Sequence, residues 1–156
     1  MKQSKMIEVL KSKFPDINLV PGDNHYWSPK ERNVYFKRDD STLESTWSLL
    51  HETGHALLNH IHYFTDIELL TMEMDAWEKA KNLASELDIE IDDDHIQDCL
   101  DSYRDWLHKR SLCPDCFLSG IQINTSTYSC IFCHKKWKVS SERFCRPYRK
   151  KLNKAV

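Results

Sequence analysis

Glycine and proline are scarce, with three and five residues in a chain of 156. That scarcity fits a helix-rich globule and disfavours disorder. No apolar run is long enough to span a membrane, and the N-terminus lacks the hydrophobic core of a signal peptide. The expected setting is therefore the cytoplasm, where thiols stay reduced. No low-complexity segment stands out, and no repeat is visible apart from two cysteine pairs. A chain of this length holds one modest core plus a small metal-stapled module.

Histidine is placed with more purpose. Leu49-Leu50-His51-Glu52-Thr53-Gly54-His55-Ala56-Leu57-Leu58 sets two imidazoles four residues apart in an apolar segment. On a helix they share one face and can grip a single metal ion. Glu52 projects about 100° round from His51, within reach of a water on that metal. This is the zinc-hydrolase pattern, in which three protein ligands leave one position open. Ser41-x-x-Glu44 reads as the capping box that starts the helix. Leu43, Trp47, Leu50, Gly54, Leu57 and Ile61 recur at helical spacing as its packing face. Gly54 costs helix stability, which is odd unless something approaches the backbone closely there.

A third ligand is expected on the next helix, which a second capping box, Thr65-x-x-Glu68, opens at about Asp66. Glu73 stands in an apolar stripe formed by Leu69, Leu70, Ala76, Trp77 and Ala80. A carboxylate buried on that stripe needs a partner, either a metal ion or a buried Arg or Lys. Asp75 is the fallback ligand; Glu68 and Glu78 fall off the stripe.

L-x-H-E-x-G-H-x-x-L-x-H from Leu49 to His60, followed by Glu73-Met74-Asp75-Ala76, resembles the ImmA/IrrE-type zinc metallopeptidases. The resemblance covers roughly Ile17 to Leu87. It implies zinc held by His51, His55 and Glu73, with Glu52 as general base. It also implies protein substrates such as DNA-associated regulators or repressors. One departure is Trp77, where members commonly carry Asp or Asn to contact a zinc-bound histidine. That contact would have to come from elsewhere, with Asp75 a candidate. His60 matches the family's trailing histidine, but five residues past His55 it should point away from the metal, so a structural role is expected.

Cys113-Pro114-Asp115-Cys116 and Cys130-Ile131-Phe132-Cys133 supply four thiolates for a second, closed zinc site. Two disulfides are the alternative, which a reducing compartment disfavours. Ile121, Ile123 and Tyr128 mark the strands of a hairpin between the pairs. Cys99 reads as core, and Cys145 as core or a replacement ligand. Upstream, Ser4 to Phe14 reads as an amphipathic helix, Ile17 to Val20 as a strand, and His25–Ser28 with Asn33–Lys37 as a hairpin. Asp92-Asp93-Asp94 opens a further helix to about Arg110, and no glycine-bearing calcium loop follows.

The fold class expected is α+β: a helix-rich metallopeptidase core with a small antiparallel sheet, then a zinc ribbon. The divisions expected are 1–111, 112–146 and a basic tail at 147–156. Net charge is only −2, but from His134 onward nine Lys or Arg face one Glu. Lys135, Lys136, Lys138, Arg143, Arg146, Arg149, Lys150 and Lys151 alternate with Trp137, Phe144 and Tyr148. Basic groups beside aromatics suit nucleic acid; an acidic partner or the acidic remainder of the chain is the alternative. Two functions remain in view. One is a zinc endopeptidase acting on a protein, with the ribbon and tail for targeting. The other is a non-catalytic, zinc-stabilised nucleic-acid-binding or adaptor module. A membrane partner is not expected.

Overall fold

The computed structural model describes residues 2–141 and 148–152. Arg143, Cys145 and Arg146 lie outside the described residues. Among those described are four helices and two small sheets: an α+β protein. The chain divides into two compact units, Met1–His62 with Met72–Ile96, and Tyr63–Thr71 with Gln97–Val156. Two long helices, α3 (Asp66–Glu86) and α4 (Asp93–Ser111), contribute residues to both.

The first unit begins with α1 (Gln3–Lys13), which buries Met6 and Leu10. Its sheet has the order β1-β3-β2, from β1 (Asn18–Gly22), β2 (Tyr26–Ser28) and β3 (Asn33–Lys37). β2 and β3 form the expected hairpin, but β1 runs parallel to β3, so the sheet is mixed and not antiparallel. Pro21 lies in β1, an edge strand, where its missing N–H breaks no central ladder. Central β3 buries Val34 and Phe36 on alternate positions.

α2 (Leu43–Leu57) carries the histidine motif. Its cap is Thr42 and not Ser41: the Thr42 hydroxyl accepts from the Ser45 N–H and is itself fixed by Asp40. Starting and stopping where it does, α2 leaves Leu43 and Ile61 exposed, at 62% and 54%, off the expected packing face. Trp47, Leu50 and Gly54 stay buried. α3 opens on the expected box, with Glu68 N–H donating to Thr65 Oγ1 and Thr65 N–H to Glu68 Oε2. Asp92 caps α4 by accepting from the Asp94 N–H.

The second unit contains a four-stranded antiparallel sheet, β4 (Ile121–Asn124), β5 (Thr127–Ser129), β6 (Lys136–Val139) and β7 (Arg149–Lys151), in that order. Within the segment read as a basic tail, Arg149–Lys151 is thus an edge strand. Tyr128 and Trp137 stack across β5 and β6 and are almost fully buried. Beside them lies a polar cluster around the buried Arg110. Arg110 stacks on Trp106 and donates to the Thr125 carbonyl, while Asp66 accepts from the Tyr128 hydroxyl. Leu69 packs here against Trp106 and Leu107, so the α3 stripe is shared between partners and does not all face α2. No helix among the described residues is long and apolar enough to cross a membrane.

Candidate metal centres

The crossing of α2 and α3 builds the first centre. A Cβ on Gly54 would stand 2.6 Å from the Ala76 carbonyl oxygen, so only glycine permits this approach. Ala76 is fully buried against it, and Glu73 lies one turn earlier on α3. His51 and His55 lie one turn apart on α2. The result is convergence. The two Nε2 atoms are 3.1 Å apart, His51 Nε2 is 3.2 Å from Glu73 Oε2, and His55 Nε2 is 3.5 Å from Glu73 Oε1.

All three residues are buried. Burial pushes the Glu73 carboxyl up, but hydrogen bonds to His51 and His55 outweigh it and hold the pKa down, at about 2. The group is an anion in an enclosed site, facing two imidazole nitrogens. Three donors of that kind, aimed at one point, fit a divalent cation. Asp75 is exposed on α3 and stands outside this group, and among the described residues no Lys or Arg pairs with Glu73.

Glu52 is not among the converging atoms. Its Oε2 accepts from the Trp27 N–H of β2 at 2.7 Å, leaving its other oxygen uncommitted to that bond. Trp27 also donates its indole N–H to the His60 carbonyl at 2.7 Å. One residue of the edge strand therefore ties down both the motif carboxylate and the chain just past the helix. No spacing rule links positions 27, 52 and 60, so Trp27 carried no signal in the sequence.

The outer nitrogens of the two histidines differ. His55 Nδ1 meets His60 Nδ1 at 2.8 Å. This agrees with the structural role expected of His60: it holds the outer nitrogen of the His55 ring, while Nε2 lies towards His51 and Glu73. The chain bends back after α2 to achieve this, with Asn59 in the left-handed region and the His60 N–H bonded to the His55 carbonyl. Among the described residues His51 Nδ1 is buried without a hydrogen-bond partner. Trp77 stacks on the His51 ring instead, centroids 4.2 Å apart, so that ring is held by packing and not by Asp75. Replacing His60 by leucine is expected to weaken metal binding about 10–100-fold, while His60→Gln keeps part of the affinity. Competition titration with a chelating dye measures both.

The second centre comes from two copies of one turn. The Phe117 N–H bonds to the Cys113 carbonyl and the His134 N–H to the Cys130 carbonyl, each at 3.0 Å. The Cys113 and Cys130 N–H groups are in turn bonded to the Leu118 and Lys135 carbonyls. Phe117 and His134 occupy the left-handed region, at φ 61° and 60°, a conformation that costs side-chain-bearing residues about 1–2 kcal/mol. The four thiols are free and cluster, with Sγ–Sγ distances of 3.5 Å for Cys113–Cys133 and 3.4 Å for Cys116–Cys130. Tetrahedral zinc–sulfur bonds of about 2.3 Å need sulfurs about 3.8 Å apart, so little movement separates this cluster from a closed site.

Ionisation within the cluster is uneven. Backbone N–H groups of Cys133 and Phe132 bring Cys130 down to about 7 against the pull of burial. At Cys116 the Leu118 N–H lowers the pKa, but burial and the neighbouring thiols carry it up to about 12. One thiolate forms readily and the next is opposed, which a divalent cation would offset.

Of the basic residues, Lys135 and Lys151 both pair with Asp115. Arg149 donates to the Leu112 carbonyl. Lys136, Lys138 and Lys150 are exposed and form no ion pair among the described residues. Cys99, half-buried on α4, lies outside the thiol cluster. No protein-family model matches the sequence, and no curated protein or solved structure is detectably similar to it.

Proposed function

We propose that this chain is a zinc-dependent endopeptidase acting on protein substrates, with one catalytic and one structural zinc. The observation that carries this reading is the convergence of His51, His55 and Glu73, with Glu52 beside them but held apart by the Trp27 N–H. Two imidazoles and a carboxylate, with no fourth ligand beside them among the described residues, suit zinc in an open site. Four cysteines suit zinc in a closed one. Zinc in the open site would supply Lewis-acid polarisation of a scissile carbonyl and acidify a water.

The remaining work falls to this chain's own groups. Glu52 takes a proton at the oxygen left free of Trp27 and delivers it to the leaving amine. Trp27 keeps the carboxylate aimed, and His60 keeps the His55 Nε2 turned inward. The position of β2 bears on how a peptide would dock. β3 is the central strand, so it offers no edge; β2 does, and its Trp27 N–H reaches Glu52. A strand-like substrate along β2 would meet the Trp27 N–H already held by Glu52, and so would compete directly with the general base for that donor. DNA-associated regulators or repressors are the substrates that the family resemblance favours.

One observation supports a second reading, a non-catalytic adaptor. Among the described residues His51 Nδ1 lacks the acceptor that usually orients a catalytic ligand. Glu52→Gln separates the two. Cleavage of fluorescein-labelled casein by zinc-loaded protein is expected to fall about 10²–10⁴-fold in the variant, with metal content and melting temperature unchanged. Cleavage that persists in Glu52→Gln, or is absent from the zinc-loaded wild type, contradicts the peptidase reading.

A further inference from the structure

The cations of the second unit divide by the face of the sheet they occupy. Cross-strand partners share a face, so Tyr128, Trp137 and Lys151 lie on one side, as do Val139 and Arg149. That side is closed: Trp137 and Val139 are buried, Lys151 pairs with Asp115, and Arg149 is bound to a carbonyl. On the other side Lys138 stands directly opposite Lys150, and Lys136 follows two residues along the same strand. Thr127 and Ser129 face Lys138 and Lys136 from β5, and Ile121 faces Ser129 from β4.

Two like charges set opposite one another weaken a sheet. No carboxylate among the described residues relieves them, although Asp115 neutralises two lysines of the same unit. The lysines are flanked by apolar groups that water does not favour. Ile121 is 56% exposed, and Tyr148, just before β7, is 70% exposed. Alternation along the extended chain places Tyr148 on the side of Lys150.

We propose that this open face, with Lys136, Lys138, Lys150 and Tyr148 at its centre, binds single-stranded nucleic acid. The lysines meet phosphates, and Tyr148 and Ile121 present flat or apolar surface to unpaired bases. A four-stranded sheet elsewhere stacks about two or three bases in this way. Duplex DNA is the poorer fit, because its major groove is entered by a protruding helix or ribbon, whereas these lysines stand on the face of a four-stranded sheet. The site rests on strand register and charge, independently of any peptidase activity.

Fluorescence anisotropy with a labelled 20-mer of thymidine and the full chain tests this. Three phosphate contacts predict a salt slope near −2, so affinity should drop about 20-fold between 50 and 200 mM salt. Lys138→Glu places a carboxylate opposite Lys150. It should hold or raise the melting temperature while weakening binding at least about tenfold, which separates lost binding from lost folding. Tyr148→Ala should weaken binding at least about fivefold. Unchanged binding by Lys138→Glu overturns the proposal, as does tighter binding of the matching duplex. So does capture by phosphatidylserine vesicles without any binding of the oligomer.

Discussion

Cys113→Ser protein is expected to lose the four-stranded sheet as a cooperative unit. Cys113 is fully buried and packs with Tyr128, Cys130, Trp137 and Val139. These residues make a small core, and β4, β5, β6 and β7 are each only three or four residues long. Strands that short need a further constraint. A structural zinc contributes about 10–16 kcal/mol in small metal-folded peptides at neutral pH, comparable with the whole stability of a domain. Serine keeps the volume nearly unchanged but is a far poorer ligand. Trp137 and Tyr128 should therefore become solvent-exposed, seen as a red shift in tryptophan emission and loss of amide protection in β5 and β6. A chelator added to the wild type should reproduce the change. A variant that keeps its protection pattern would show that side-chain packing alone suffices.

Gly54→Ala is expected to damage metal binding more than its size suggests. Alanine in mid-helix normally stabilises by about 1 kcal/mol relative to glycine. Here its Cβ would stand 2.6 Å from a backbone oxygen of α3, which no rotamer change relieves. Overpacking of this kind costs about 1–3 kcal/mol, so the net effect on stability is small or moderately unfavourable. The geometry suffers more. α2 and α3 must part at Ala76, one turn from Glu73, and the carboxylate moves off the two Nε2 atoms it now meets at 3.2 and 3.5 Å. Metal affinity should fall at least about tenfold while the melting temperature shifts by a few degrees. Wild-type affinity in Gly54→Ala would mean that the close approach does not position the ligand.

The ligand groups were legible because each is periodic or tightly spaced. His51 and His55 are one turn apart, the cysteines come as pairs, and Glu73 is the lone carboxylate on an apolar stripe. α3 was legible because Thr65 and Glu68 satisfy each other's N–H groups locally. The start of α2 was misplaced by one residue because Ser41 and Thr42 are both good caps, and Asp40 decides between them. Parallel pairing of β1 with β3 joins residues fifteen apart across a hairpin, which no local pattern reports. β7 was hidden by its own charge: Arg-Lys-Lys reads as a solvated tail until Trp137 and Val139 give it a strand to pair with. Trp27 acts through two long-range hydrogen bonds and leaves no trace in spacing, whereas His60 is visible as the motif's trailing histidine but not as the partner of His55 Nδ1.

Metal content per chain is the most direct test of the account. Mass spectrometry on wild type, Glu73→Ala and Cys113→Ser is predicted to find two zinc ions in the first and about one in each variant. A single zinc in the wild type, lost only with Cys113, would leave His51, His55 and Glu73 as a hydrogen-bonded cluster and contradict the proposed catalytic centre.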